Sequence, residues 1–177
     1  MKISSKFSSC LQAEAFSIIM KRLLIFLAIF LVIPLVNAEV IISEIMYNPQ
    51  SGDDEGNWIE IYSSENINLS GWNFSEVGTN HKLNLTKDTK SFSGYVIMAD
   101  NAERFFKDNI GFNGNLIDIT SFLANAYEAI VLKDNSLNIT DKTYLSSIGA
   151  NGNGNSLQWV NNKWCEGIPT PGKINRC

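Results

Sequence analysis

Past residue 39 the chain repeats one device: a short run alternating apolar and polar residues, closed by a cluster of Asn, Gly, Ser or Asp. Alternation with period two marks strands with one face buried, and the closing clusters mark turns. "VIISEIM" alternates from Val40 to Met46 and stops at Asn48-Pro49. "NWIEIYS" alternates again, placing Ile59 and Ile61 on one face and Trp58, Glu60 and Tyr62 on the other. "INLSGWNFS", "HKLNL" and "SGYVIMA" follow, then "YEAIVLKD", a turn at Asn135-Ser136, and "NITDKTYL". "NSLQWVNNKWC" reads as a hairpin folded at Asn161-Asn162, because Asn tolerates the positive φ of a tight turn. Only "NAERFFKDN" predicts helix. About eight short strands at this spacing predict an all-β sandwich or barrel, with no long repeat and no second domain.

The N-terminal segment has a different character. "MKRLLIFLAIFLVIPLVNAEV" begins at Met20 with Lys21 and Arg22, continues as an uncharged apolar run over residues 23–36, and ends in Val36-Asn37-Ala38. That order is the pattern of a secretory signal peptide cut after Ala38. The run is shorter than the ~20 residues that span a bilayer, and Pro34 sits near its end. The expectation is a leader over residues 1–38, with Met20 as its start, and an extracytoplasmic domain over 39–177. The protein would be secreted or held at the cell surface. An uncleaved segment would be the only membrane attachment.

From Glu39 onward seventeen acids face ten bases, a net charge of about −7 with no basic run. This composition argues against nucleic acid as a partner. Cys10 leaves with the leader, and Cys165 and Cys177 remain, which in an oxidising compartment predicts a disulfide. It would close "CEGIPTPGKINRC", a loop worth about 3 kcal/mol by chain entropy. A zinc site would need four ligands, and His81 is the single histidine. Asn68, Asn73, Asn84 and Asn138 each head an Asn-x-Ser/Thr sequon, open to glycosylation where the host can perform it. "SSIGANGNGNS", from Ser146, lacks the following helix and the Lys-Ser or Lys-Thr pair of a phosphate loop, and is expected to be mobile.

The blocks "IISEIMYNP", "NWIEIYS", "NLSGWNFS", "GYVIMAD", "AIVLKDNSLNITDKTYL", "NSLQW" and "PTPGKIN" stand in an order that resembles the lamin-tail domain family. The resemblance runs from about Val40 to Asn175. It implies an immunoglobulin-like β-sandwich acting as a structural or interaction module, of a kind often appended to exported hydrolases, nucleases or surface proteins. Two positions depart from the family's usual pattern. Asn125-Ala126-Tyr127-Glu128 stands where an Asn-Ser-Gly-Asp turn is common, and Trp159 where an Arg often follows "SLQ".

Chemistry is to be sought among the carboxylates of "ISEIMYNPQSGDDEGNWIEIYS": Glu44, Asp53, Asp54, Glu55 and Glu60. Glu44 and Glu60 would be cross-strand neighbours on adjacent strands, suggesting either a catalytic pair or the solvent side of a sheet. Asp53, Asp54 and Glu55 lack the spacing of an EF-hand calcium loop and read as an acidic turn. His81 has no "GxSxG" elbow beside it to form a nucleophilic triad. Four tryptophans suggest a sugar platform, with Trp159 the candidate for ligand contact if Leu157 points inward. The reading names no catalytic, metal or cofactor residue. It expects an exported binding module for a cell-surface protein or glycan; the alternative is a secreted metal-assisted hydrolase using Glu44, Asp53, Asp54 and Glu60.

Overall fold

The structure is a computed structural model. It describes residues 20–22, 39–51, 54–76, 80–83, 85, 90–119, 128–145 and 149–177. The chain divides into two compact units, Met1–Asn37 and Ala38–Cys177. In the first, residues 20–22 are helical, and the apolar run and cleavage site expected of a leader lie outside the described residues. Among the described residues no helix is long and apolar enough to cross a membrane.

In the second unit the described residues form ten strands and one α-helix. The elements are β1 (Val40–Met46), β2 (Trp58–Asn68), β3 (Asn73–Glu76), β4 (His81–Lys82), β5 (Ser91–Ala99), α1 (Ala102–Asp108), β6 (Asn115–Asp118), β7 (Glu128–Lys133), β8 (Ile139–Leu145), β9 (Ser156–Val160) and β10 (Lys163–Gly167). One sheet has the order β10-β9-β1-β2-β5-β6, and the other β4-β3-β7-β8. Ile42, Ile45, Ile59, Ile61, Val96, Met98 and Leu157 of the larger sheet share one core with Phe74, Ile130 and Leu132 of the smaller. The fold is an all-β, two-sheet sandwich. Each fully buried Ile or Phe of this core contributes about 1.5–3 kcal/mol.

Local chemistry explains the turns. Asn161 and Asn162 take φ of 51° and 61°, the left-handed pair that a two-residue hairpin requires, and β9 and β10 pair around them as expected. Helix α1 is capped by the Asn101 side chain, which accepts from the Arg104 amide at 2.9 Å. Glu103 lies in its first turn and Lys107 in its last, each complementing the helix dipole. Where the sandwich is not closed by strand pairing, the Ile42 amide of β1 donates to the Asp141 carboxylate of β8 at 2.6 Å.

The structure corrects several strand expectations. "INLSGWNFS" is not one strand: β2 ends at Asn68, and a turn with Gly71 at φ 82° and Trp72 N donating to Leu69 O at 3.0 Å leads into β3. "HKLNL" reduces to β4. Strand β6 is absent from the expected elements. It runs parallel to β5, a pairing that needs a long crossover, and α1 lies on that crossover. The Asn125-Ala126-Tyr127 turn lies outside the described residues.

Candidate functional site

The site begins with one extra residue. Ile42 pairs with Ile61, yet Glu44 pairs with Glu60, so Ser43 is a bulge in β1. Strict alternation would put Glu44 on the face of Val40 and Ile42, in the core between the sheets. The bulge turns it to the opposite face while Ile45 returns to the core. Glu60 reaches that outer face by ordinary parity, opposite the buried Ile59 and Ile61. The two glutamates thus become direct cross-strand neighbours.

They sit in a row that crosses the whole larger sheet. Cys165 pairs with Gln158, Gln158 with Glu44, Glu44 with Glu60, Glu60 with Ile97, and Ile97 with Leu116. The apolar end of the row lies under α1, where Met46, Trp58, Ile97, Ala99 and Phe105 form a second core with Phe112 and Leu116. The polar end lies under the C-terminal residues 168–176, which form a strap across it. Glu44 and Glu60 are both 0% exposed. This overturns the reading of these carboxylates as the solvent side of the sheet.

The strap reads the pair through its backbone. Pro171 and Gly172 occupy the centre of a turn closed by Lys173 N donating to Thr170 O at 2.9 Å. Gly172 has φ 73°, as the third position of a type II turn demands, and Pro171 supplies the second. The turn aims two amides at the sheet: Thr170 N donates to Glu44 Oε1 at 2.9 Å, and Gly172 N to Glu60 Oε2 at 2.6 Å. Glu44 also accepts from Ser156 Oγ at 2.5 Å, Gln158 Nε2 at 3.3 Å and Thr170 Oγ1 at 3.2 Å. Glu60 has the Ser43 hydroxyl, 2.7 Å from its Oε1. Further along the strap, Asn175 Nδ2 donates to Ser43 O at 2.6 Å. Arg176 N donates to Gln158 Oε1 at 2.8 Å, and Gln158 Nε2 to Ile168 O at 2.7 Å.

These donors are unequally shared, and none of them is a Lys, Arg or His side chain. Burial raises the Glu60 carboxyl from 4.5 to about 8; the Gly172 amide and Ser43 hydroxyl pull it down, and the nearby Glu44 pushes it up. Burial also raises Glu44, against its four donors from Ser156, Thr170 and Gln158. With more donors, Glu44 is the better placed of the two to carry a negative charge, and Glu60 the better placed to hold a proton. The heavy-atom distances allow this assignment. Glu60 Oε1–H can donate to Ser43 Oγ, and the Ser43 hydroxyl to the Glu60 carbonyl at 3.2 Å.

Cys165 and Cys177 are bridged, with Cα atoms 6.1 Å apart, so the far end of the strap is fastened to β10. The two chain segments come close there: a Cβ on Gly167 would lie 2.8 Å from the Arg176 carbonyl and 3.3 Å from Cys177 Cβ.

The remaining expected residues do not join this site. Asp53 lies outside the described residues, Asp54 begins a short 3-10 turn, and Glu55 is exposed there. Among the described residues no group of three or more His, Cys, Asp or Glu gathers as metal ligands do. His81 Nε2 lies 3.2 Å from Glu76 Oε1. Asn68 and Asn138 are exposed, whereas Asn73 is buried with its amide on Gly71 O, out of reach of modification in the folded domain. Asn84 lies outside the described residues. Leu157 is in the core; Trp159, two residues on and thus on the same face, is half-buried with its ring centroid 5.4 Å from that of Trp164.

The Gly-rich loop differs from its expectation too. Its residues 146–148 lie outside the described residues, but the rest is fastened to Glu166, which accepts from Ala150 N at 2.8 Å, Asn153 Nδ2 at 2.5 Å and Asn155 Nδ2 at 2.7 Å. Those bonds hold the Glu166 carboxyl below its usual range.

Sequence reasoning singles out Glu44 and Glu60 but misses their partners Ser43, Ser156, Gln158, Thr170 and Gly172. The one local signal is "TPGK" itself, a type II turn sequence whose free amides need acceptors. Comparison with known proteins adds no further assignment: no family model matches the chain, and no curated protein matches it significantly.

Proposed function

We propose that this chain is an exported, non-catalytic binding or structural module of lamin-tail type, with an immunoglobulin-like sandwich that engages a protein or glycan at the cell surface. The observation that carries the reading is the fate of Glu44 and Glu60. A hydrolase would present its paired carboxyls to a cleft with one free to exchange a proton with substrate. Here both are sealed beneath the strap and their oxygens are engaged by its amides and by neighbouring hydroxyl and amide groups. The most prominent carboxyl pair in the sequence serves to hold the chain's own end. The block "PTPGKIN", which carries part of the family resemblance, is the segment so held.

Two measurements test the reading. Melting curves of the wild type and Glu60→Gln, each with excess calcium and with chelator, should show no metal-dependent rise beyond a few degrees. A large rise in the wild type that the variant loses would favour the metal-assisted hydrolase. A pull-down with residues 39–177 against cell-surface glycans and proteins should retain a saturable ligand, and the absence of one would count against a binding module.

A further inference from the structure

We propose that residues 168–176 form a latch released by alkali, whose opening uncovers the Glu44–Glu60 pair, and that the Cys165–Cys177 bridge limits how far the latch opens. Apart from Gly172 abutting the Phe112 ring, the strap adheres by polar contacts. Its large apolar side chains, Ile168 and Ile174, are 79% and 72% exposed and add little buried area. What fastens it is the set of hydrogen bonds to Glu44, Glu60, Gln158 and the Ser43 carbonyl. Two of those acceptors are carboxyls directly opposite each other on adjacent strands.

Removing the proton from Glu60 sets two negative charges side by side where water is excluded. Among the described residues no cation contacts them. On β2 and β5 the titratable neighbours are Tyr62 and Tyr95, and burial followed by the charge of Glu60 raises the Tyr95 hydroxyl, keeping it neutral while Glu60 ionises. From β9 the pair meets only the neutral Ser156 and Gln158, and on β10 the bridged Cys165 does not titrate. Lys173 and Arg176 of the strap are exposed and, with Tyr95 and Ile174, line an open cavity of about 470 Å³ beside the pair. Ionisation also removes the O–H that a neutral Glu60 can give to Ser43, leaving the Ser43 hydroxyl to donate to the carboxylate. Strands β1, β2 and β9 are fixed by the core on their other face. The strap is the part free to lift and let water reach the charges, and lifting is the lowest-cost relief of the repulsion.

Hydrogen exchange of the Thr170, Gly172 and Arg176 amides tests the proposal, read as the ratio of wild type to Glu60→Gln at each pH so that intrinsic exchange rates cancel. Gln reproduces the neutral acid, with its carbonyl accepting from Gly172 and its amide donating to Ser43. The Gly172 ratio should stay near one at pH 6 and rise tenfold or more by pH 9.5. A ratio flat across that range overturns the latch. Should Glu60→Gln fold poorly, NMR of wild-type protein carrying 13C-labelled glutamate gives a second reading. The Glu60 carboxyl and the Gly172 amide should titrate with one shared midpoint well above the ordinary carboxylate range, and an ordinary midpoint with an unmoved amide refutes the proposal. Under reductant, Arg176 should join Gly172 in fast exchange at pH 9.5. Arg176 exchange that is the same with the bridge intact and reduced removes the second half of the proposal.

Discussion

The outer face of the larger sheet is covered twice, by different physics. Under α1, Met46, Trp58, Ile97, Ala99 and Phe105 are buried by apolar contact, with Phe105 edge-on to Trp58 at 5.7 Å and to Phe112 at 5.0 Å. Under the strap, Ser43, Glu44, Glu60, Ser156 and Gln158 are buried as deeply, but by directed hydrogen bonds. One row of side chains, from Cys165 to Leu116, passes from the second regime to the first. Apolar cover is indifferent to direction and to protons, whereas polar cover holds only while each donor keeps its acceptor in the right state. Equal burial therefore does not mean equal permanence.

The comparison breaks if the two halves respond alike. The largest loss is expected at the apolar end: Phe105→Ala should cost about 3–5 kcal/mol in denaturant unfolding, by lost transfer energy and the cavity left behind. That loss should be the same at pH 6 and pH 9. A strongly pH-dependent loss would mean that the two covers are coupled.

At the polar end the effect follows pH. The Glu60 carboxyl rises from 4.5 in the unfolded chain to about 8 in the fold, so the folded state binds the extra proton between those values. Its contribution is complete below pH 4.5 and is lost as pH rises through about 8. Comparing unfolding free energies of wild type and Glu60→Gln from pH 4 to 9.5 isolates this group. The two should agree at the acid end, and the variant should lead by roughly 4–5 kcal/mol at the alkaline end. A parallel pair of curves would place the proton elsewhere.

Fastening the strap comes next in size. Cys165→Ser should lower stability by roughly 2–3 kcal/mol, the loop-closure value less any relaxation, with the far-ultraviolet dichroism unchanged. Loss of the β spectrum would show that the bridge holds more than the strap. The smallest effect belongs to the hairpin that carries both Gln158 and Cys165. Asn162→Gly, at φ 61°, should change stability by a few tenths of a kcal/mol, since Gly takes that conformation freely but gains entropy when unfolded. A loss above about 1 kcal/mol would reveal a side-chain role for Asn162.

Much of the frame is legible in the amino-acid order alone. Period-two alternation assigns the faces of Ile59, Ile61 and Glu60, and Asn161-Asn162 assigns the hairpin, because both depend on residues within a few positions. The adjacency of Glu44 and Glu60 is legible too, although the bulge that produces it is not. "VIISEIM" sets two polar residues, Ser43 and Glu44, side by side, and only the pairing of Glu44 with Glu60 after Ile42 with Ile61 shows that the break is an extra residue. Strand β6 escapes notice because "NLID" is short and its partner lies beyond a helix. The burial of the carboxyls is the least legible feature. The Thr170 amide that seals Glu44 lies 126 positions away in the chain, a separation that no local pattern encodes.

The strap also fixes an order of events. A chain made from its N-terminus displays β1 and β2 long before residues 168–176 exist, so Glu44 and Glu60 spend that interval hydrated and charged at neutral pH. Arrival of the Pro171–Gly172 turn strips their water, and at that moment Glu60 must take up a proton from solvent. Docking of the strap is then coupled to the uptake of a proton.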